Sequence, residues 1–194
     1  MKRVCYRICF IVTCVLLQAC NKTDTYGQQV RTLDSLSGAV NATAKELEKT
    51  DTVILQKAIT RFAYYRQFIQ QNINDTIAKN EADNLQQFYV SGKNLEIFQA
   101  NRMSLLARAR LINSQLLKLT ADVKNNALST EQATQFILQE KNEAARLTDL
   151  GSSQKQVFYS GLEEFKNALR GVEQLIRSHN NGELPTIVKD TLTL

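Results

Sequence analysis

The sequence has few of the residues that turn-rich folds require. Its 194 residues include one proline and seven glycines, and it contains no tryptophan. So little proline and glycine disfavours β-sandwiches and barrels, which need frequent turns. No apolar run reaches the roughly 18 residues of a membrane-spanning helix. The length suits one domain that is large enough to bury a hydrophobic core.

Familiar catalytic and cofactor-binding patterns are also missing. The sequence has no G-x-S-x-G, phosphate-loop or G-x-G-x-x-G motif. Its only histidine, His179, lies at a predicted helix end, where it caps backbone carbonyls more often than it binds a metal. We therefore expect no enzymatic activity, no cofactor and no metal site. Arg108, Arg110 and Lys118 form a basic cluster without stacking aromatics, so nucleic acid is not an expected partner.

All four cysteines lie within the first 20 residues. Three basic residues at positions 2, 3 and 7 precede an apolar segment over residues 8–17, and the stretch ends in Leu17-Gln18-Ala19-Cys20. This organisation resembles the signal peptide and lipobox of bacterial lipoproteins, and the resemblance covers only the leader. The resemblance implies cleavage after residue 19 and lipidation of Cys20, with palmitate among the attached acyl chains. Several acyl chains would anchor the protein durably in a membrane.

Removal of such a leader changes the chemistry of the remaining chain. The leader holds three of the 24 basic residues and no acidic residue, so its loss lowers the net charge from +5 to +2. The mature chain would keep no free thiol and form no disulfide. Residues 20–28 would be the lipidated cysteine and a polar tether. No aspartate follows Cys20, which in the lipoprotein family argues for the outer membrane; the periplasmic and surface faces are both left open.

After residue 28 the hydrophobic pattern is helical. Apolar residues recur at alternating spacings of three and four, which predicts helices packed in a bundle or coiled coil. These rows are called seams below. The four seams are Leu33, Leu36, Val40 and Leu47; Leu55, Ala58, Phe62, Tyr65 and Ile69; Leu95, Phe98, Arg102, Leu105, Ala109, Ile112, Leu116, Leu119 and Val123; and Phe158, Leu162, Phe165, Leu169, Val172 and Ile176.

Polar breaks divide this region into three predicted helices, near residues 28–73, 77–125 and 130–180. Asp75 or Thr76 is the expected N-cap of the second helix. A capping box between Ser129 and Gln132 starts the third, which ends at Asn181-Gly182. Short connections make neighbouring helices antiparallel. We expect an all-α, elongated three-helix bundle over residues 29–181 and a tail over 182–194, docked through Leu184, Ile187 and Val188.

Two interruptions are predicted inside these helices. One is Thr50-Asp51-Thr52, where the seam shifts by about one residue. The other is Leu150-Gly151-Ser152-Ser153, where Ser153 and Gln156 fit an internal capping box.

Arg102 is the one charged residue in the longest seam. Folding the chain at its two breaks places Arg102 opposite both interruptions. We therefore expect a polar layer in which Arg102 pairs with Glu48 or Asp51, because a buried charge needs a partner. The alternative is an arginine whose stem packs in the seam while its head reaches water.

The tripeptide Asp-Ser/Thr-apolar occurs four times, beginning at residues 34, 51, 75 and 190. It resembles the O-glycosylation motif of exported Bacteroidetes proteins. The resemblance implies glycans on Ser35, Thr52, Thr76 and Thr191. The alternative is that aspartate and threonine simply favour helix starts.

One surface segment stands out. Arg61, Tyr64 and Phe68 flank the seam residues of the second row and are candidate contacts for a partner, although such residues more often complete the packing. We expect a lipid-anchored cell-envelope protein that acts as a non-catalytic helical spacer or protein-interaction module with an envelope partner. The alternative is a binding protein that holds a small apolar or peptide ligand between helices. Pairing of two copies stays open.

Overall fold

A computed structural model describes residues 26–74 and 76–185, and all regular structure in these residues is α-helical. Helix α1 spans residues 26–48, and α2 spans Thr52–Asn72. Helices α3 and α4 are longer, at Lys79–Lys124 and Thr130–Ser178. The expected all-α helical bundle is confirmed, but the region predicted as one first helix contains two. The predicted leader and Cys20 lie outside the described residues, and the last three residues of the predicted tether begin α1.

The interruption predicted at residues 50–52 separates α1 from α2. Asp51 is the N-cap of α2, in an extended backbone conformation. Its side-chain oxygen Oδ1 accepts hydrogen bonds from the backbone N–H groups of Val53 at 3.0 Å and Ile54 at 2.9 Å. These are two of the donors that a helix start leaves without an intrahelical partner.

Removing this cap is expected to destabilise the protein. Asp51→Ala should cost about 1 kcal/mol, because an N-cap carboxylate satisfies backbone donors that alanine leaves open. The matched control is Asp34→Ala, since Asp34 is exposed within α1 and caps no helix. Chemical denaturation followed by circular dichroism measures both. Equal losses for the two variants would contradict the capping role.

The second predicted interruption is wrong. Helix α4 continues through Leu150, Gly151 and Ser153 without a break, so no internal capping box forms at Ser153. Leu147 and Phe158 are buried on either side of this segment. Burial of these flanking side chains outweighs the weak helix propensity of glycine and serine.

The connection between α3 and α4 follows the sequence prediction. Asn126 adopts φ 54°, and the Ala127 N–H donates to the Asp122 carbonyl at 2.9 Å. The capping box is confirmed: the Ser129 N–H donates to Gln132 Oε1 at 3.0 Å, and the Gln132 N–H donates to Ser129 Oγ at 3.2 Å.

The predicted start of α3 needs correction. The helix begins at Lys79, and the Ala78 N–H donates to the Glu81 carboxylate at 2.9 Å. Thr76 therefore lies too early to be the N-cap, and Asp75 lies outside the described residues. Ala78 therefore occupies the N-cap position, and Glu81 supplies the half of a capping box that reaches back to its N–H.

The end of α4 agrees with the prediction. Asn181 and Gly182 adopt φ 52° and φ 84°, and the Gly182 N–H donates to the Arg177 carbonyl at 2.9 Å. His179 Nδ1 lies 3.0 Å from the Leu175 carbonyl oxygen, which is the expected capping contact. Leu184 packs against the core, while Ile187 and Val188 lie outside the described residues.

The helices contribute to two compact units. Unit 1 contains residues 26–44 and 107–149, and unit 2 contains the described residues of 45–106 and 150–185. Every seam residue is buried except Leu36, Arg102 and Leu162, which are partly buried. The core of unit 1 is aliphatic: Leu33, Val40, Ala109, Ile112, Leu116, Leu119, Val123, Ala133, Ile137, Ala144 and Leu147.

The core of unit 2 is aromatic at its centre. Phe88 is fully buried, and its ring centroid lies 5.3 Å from those of Phe62 and Phe165. Phe98 and Phe158 form a second pair, with ring centroids 4.9 Å apart. Ring pairs at these separations add packing energy beyond the burial of their area.

Candidate functional site

Arg102 is partly buried in unit 2. It lies opposite the break between α1 and α2, as the sequence predicts, but its partner is not the predicted carboxylate. Its Nε donates to the backbone carbonyl of Leu47 at 2.8 Å, at the end of α1. It forms no ion pair with Glu48 or Asp51: Glu48 is exposed, and Asp51 caps α2. The end of α1 leaves the Leu47 carbonyl with only a long hydrogen bond from the Thr50 N–H, at 3.4 Å, and the guanidinium supplies a second, shorter one.

Arg102→Leu tests this contact. The Leu47 carbonyl would keep only the longer hydrogen bond from the Thr50 N–H, at 3.4 Å, so we expect a loss of about 1–2 kcal/mol of folding stability, which is the scale of one hydrogen bond. Thermal melting of this variant and of Arg110→Leu, an exposed arginine of α3 outside the seam, gives the comparison. A higher melting temperature for Arg102→Leu would instead mean that the arginine only costs stability.

Arg61, Tyr64 and Phe68 are each partly buried on α2. Tyr64 and Phe68 pack against the core of unit 2. The Arg61 side chain is only 11% exposed, and its Nη1 lies 3.8 Å from Oε1 of Glu173 on α4. The geometry thus favours packing for Tyr64 and Phe68 and gives Arg61 a polar neighbourhood on α4.

This neighbourhood is a depression between α2 and α4, with a volume of about 300 Å³ and lined by Arg61, Lys166, Leu169, Arg170 and Glu173. The Tyr65 hydroxyl donates to Glu173 Oε1 at 3.0 Å from beneath it. Burial, together with the adjacent Glu173 carboxylate, raises the pKa of Tyr65, so this hydroxyl stays protonated and remains a donor.

A second concavity, the α2–α3 groove, lies on the other side of α2. Its volume is about 430 Å³, and it is lined by Phe62, Arg66, Tyr89, Val90, Lys93 and Asn94. The Arg66 guanidinium lies over the Phe62 ring, 5.1 Å from its centroid, which is a cation–π contact. Glu96 lies between the two basic residues, 3.0 Å from Lys93 and 3.9 Å from Arg66. The groove therefore combines an aromatic floor with a charged rim.

Sequence reasoning missed most of these lining residues. Val90 lines the α2–α3 groove, and Ile97 follows it by seven residues on α3; both lie off the buried seam and are exposed. Lys166 and Arg170 stand four apart on α4, so they share a helix face. Both spacings are visible in the sequence. They indicate a binding surface only when the position of α2 is known, because α2 supplies the other side of each concavity.

The candidate glycan acceptors differ in setting. Ser35 lies within α1, Thr52 is the first residue of α2, and Thr76 precedes α3; all three are exposed. Thr191 lies outside the described residues. Asp51 caps a helix, as the alternative interpretation expects, whereas Asp34 does not.

Glu140 places a carboxyl group on the buried face of α4 in unit 1. Glu140 lies between buried Ile137 and Ala144, and its Oε2 is buried without a hydrogen-bond partner. Burial, and then the nearby Glu143 carboxylate, raise the pKa of Glu140. Glu143 itself is held by Arg108, which lowers its pKa.

The Glu140 pKa shift predicts a pH-dependent effect of Glu140→Gln. A carboxyl whose pKa is raised on folding favours the fold below its ordinary pKa and opposes it once ionised, so the variant should melt higher than the parent at about pH 7 and equally at about pH 3. Glu164→Gln removes an exposed carboxylate from α4 and should change neither melt. A Glu140→Gln variant that melts lower at neutral pH would contradict the shift.

The described part of the chain contains no cluster of three or more His, Cys, Asp or Glu side chains that could hold a metal ion. Within residues 26–74 and 76–185, no helix combines the length and hydrophobicity that a membrane span requires. No protein-family model, curated protein or solved structure matches the chain.

Proposed function

We propose that this chain is a lipid-anchored protein of the bacterial cell envelope, held at the outer membrane through Cys20, whose helical bundle binds another envelope protein without catalysis. The order of basic segment, apolar segment and Leu17-Gln18-Ala19-Cys20 supports the anchor. This motif is independent of the bundle, so the anchor and the binding role can be tested separately.

The observation that carries the binding role is an exposed apolar row beside the α2–α3 groove. Val90 is 52% exposed and Ile97 is 47% exposed, whereas the apolar seam residues of the same helix are buried. A spacing of seven residues puts both on one face of α3. Apolar side chains grouped beside a groove are typical of protein-binding surfaces.

The groove defines the chemistry of the partner. Tyr89 offers partly exposed aromatic surface above the buried Phe62 ring, and Arg66 and Lys93 are the basic residues of the groove. Glu96 neutralises part of this charge, which leaves an excess of one positive charge. We therefore propose an amphipathic helical segment that seats apolar side chains in the groove and carries an acidic residue beside them.

A small apolar ligand is the second candidate. The rings of Phe98 and Phe158 pack against each other between α3 and α4, with centroids 4.9 Å apart, so this part of the core is filled by the protein's own side chains. The α2–α3 groove, at about 430 Å³, has the size of a ligand pocket. A small ligand would therefore compete for the same groove as the proposed partner helix.

Site-specific photocrosslinking in the native host tests the proposal. A crosslinker at position 90 should yield one recurrent adduct with an envelope protein, and Ile97→Asp should reduce its amount. The control is position 53, since Val53 is 63% exposed on α2 of the same unit but lies outside the groove. The same adducts from both positions, a dimer of the chain alone, or no adduct would contradict the proposed partner.

A further inference from the structure

The depression between α2 and α4 carries an excess of positive charge. Arg61 contributes from α2, while Lys166, Arg170 and Glu173 contribute from α4. Among the described residues that line the depression, three cations therefore face one carboxylate, an excess of two positive charges. Leu169 is the apolar part of the lining.

The single carboxylate is already engaged inside the protein. Glu173 Oε1 accepts the Tyr65 hydroxyl at 3.0 Å and lies 3.8 Å from Arg61 Nη1. Tyr65 is fully buried, so this hydroxyl approaches from the core and has a fixed position. The carboxylate thus anchors Arg61 at the base of the depression rather than neutralising the rim.

The two rim cations have no such partner. Among the described residues, neither Lys166 nor Arg170 forms an ion pair or a side-chain hydrogen bond. They lie four residues apart on one helix face, where like charges repel. The Arg61–Glu173 pair lies beside them at the base of the depression. Neighbouring cations repel one another, and an anion bound between them would relieve this repulsion.

The charge excess indicates which anion fits. A phosphate monoester carries about −1.5 to −2 charges at neutral pH, close to the local excess of two, whereas one carboxylate would leave a positive charge over. Arginine also binds phosphate oxygens through two parallel hydrogen bonds. We propose that this depression binds a phosphate monoester group, carried either by a small soluble molecule or by a lipid headgroup. The site lies apart from the α2–α3 groove and does not depend on the proposed partner.

Thermal melting of the full chain with a phosphate monoester tests the site. The chain is purified in detergent micelles and titrated with glycerol phosphate at constant ionic strength. A roughly tenfold excess of ligand over its Kd should raise the melting temperature by about 3–5 °C. The variant Lys166→Ala/Arg170→Ala should lose this rise, and both side chains are exposed, so the variant should still fold.

The matched control removes the same charge elsewhere. Arg110 and Lys118 are exposed on the part of α3 that belongs to unit 1, and Arg110→Ala/Lys118→Ala should keep the full rise. No rise up to about 20 mM glycerol phosphate, an equal rise in both double variants, or a loss in both would overturn the proposal, since millimolar affinity is already weak for a specific site. Because crosslinking at position 90 is measured separately, either proposal can fail alone.

A second arm identifies the source of the phosphate. Micelles that contain phosphatidic acid are compared with micelles that contain the same fraction of phosphatidylcholine. The anchor is accommodated equally in both. A higher melting temperature in phosphatidic acid that accompanies the rise with glycerol phosphate, and that is lost in Lys166→Ala/Arg170→Ala, assigns the site to a lipid headgroup. A rise with glycerol phosphate alone assigns it to a soluble ligand.

Discussion

Replacing Gly92 by alanine should lower the melting temperature by about 4–8 °C, or about 2 kcal/mol, although alanine is the better helix former. Gly92 is buried in α3, and a Cβ there would overlap the ring of Phe62. That ring is almost fully buried and packs against Phe88 and Phe165, so it has little room to move. Overpacking costs about 1–3 kcal/mol in ordinary cores, and an overlap with an immobile ring lies at the upper end.

The same substitution elsewhere should have the opposite sign. Gly38 lies in α1, and a Cβ there would meet no atom within 4 Å. Gly38→Ala should therefore stabilise the protein by about 0.5–1 kcal/mol through helix propensity alone.

A double variant tests whether the clash with Phe62 is the cause. Gly92→Ala/Phe62→Leu should lose less folding stability than the sum of the losses of its two single variants, because leucine leaves room for the new Cβ. Additive losses would show that Gly92 and Phe62 are not coupled.

Phe88→Ala should have the largest effect of any single substitution considered, a loss of about 3–5 kcal/mol. Phe88 is fully buried, and its ring meets Phe62 and Phe165 at 5.3 Å, Tyr89 at 6.0 Å and Tyr65 at 6.5 Å. Alanine would leave a cavity between rings that are too rigid to fill it. Denaturant unfolding followed by circular dichroism measures the loss.

Phe136→Ala provides the comparison for Phe88. Phe136 is 44% exposed on α4 of unit 1. Its removal should cost less than about 1 kcal/mol, because little buried surface is lost. Similar losses at the two positions would mean that the aromatic cluster is not the stabilising centre of unit 2.

The buried faces were the most predictable part of the fold. All five seam residues proposed between Leu55 and Ile69 are buried on α2. Alternating spacings of three and four record burial directly, because they keep one helix face toward the core. Helix ends were predictable where side chains supply the caps, as at Asp51 and Ser129.

Burial without an apolar side chain was harder to find. The α3 seam extends backward from Leu95 through Ser91 to Phe88, but serine hides it. The Ser91 hydroxyl donates to the Gln87 carbonyl at 2.7 Å, which satisfies it within the helix. The α4 seam likewise continues backward through alanines and Glu140. A pattern based on large apolar residues misses both extensions.

Partners and sites depended on information that the sequence does not carry. The position of Arg102 opposite residue 48 followed from folding the chain at its breaks. Its partner was nevertheless a backbone carbonyl, whose availability depends on where α1 ends. The groove and the depression each join side chains from separate helices, and neither could be located before the place of α2 was known.

The aromatic residues of this chain also make unit 2 observable by itself. Tyr26 is the only tyrosine of unit 1 among the described residues, whereas Tyr64, Tyr65, Tyr89 and Tyr159 belong to unit 2. With no tryptophan in the chain, the near-ultraviolet dichroism of the folded protein comes mainly from unit 2, while the far-ultraviolet signal reports all helices. Coincident melts in the two spectral regions would mark cooperative unfolding, and separated melts would give each unit its own stability.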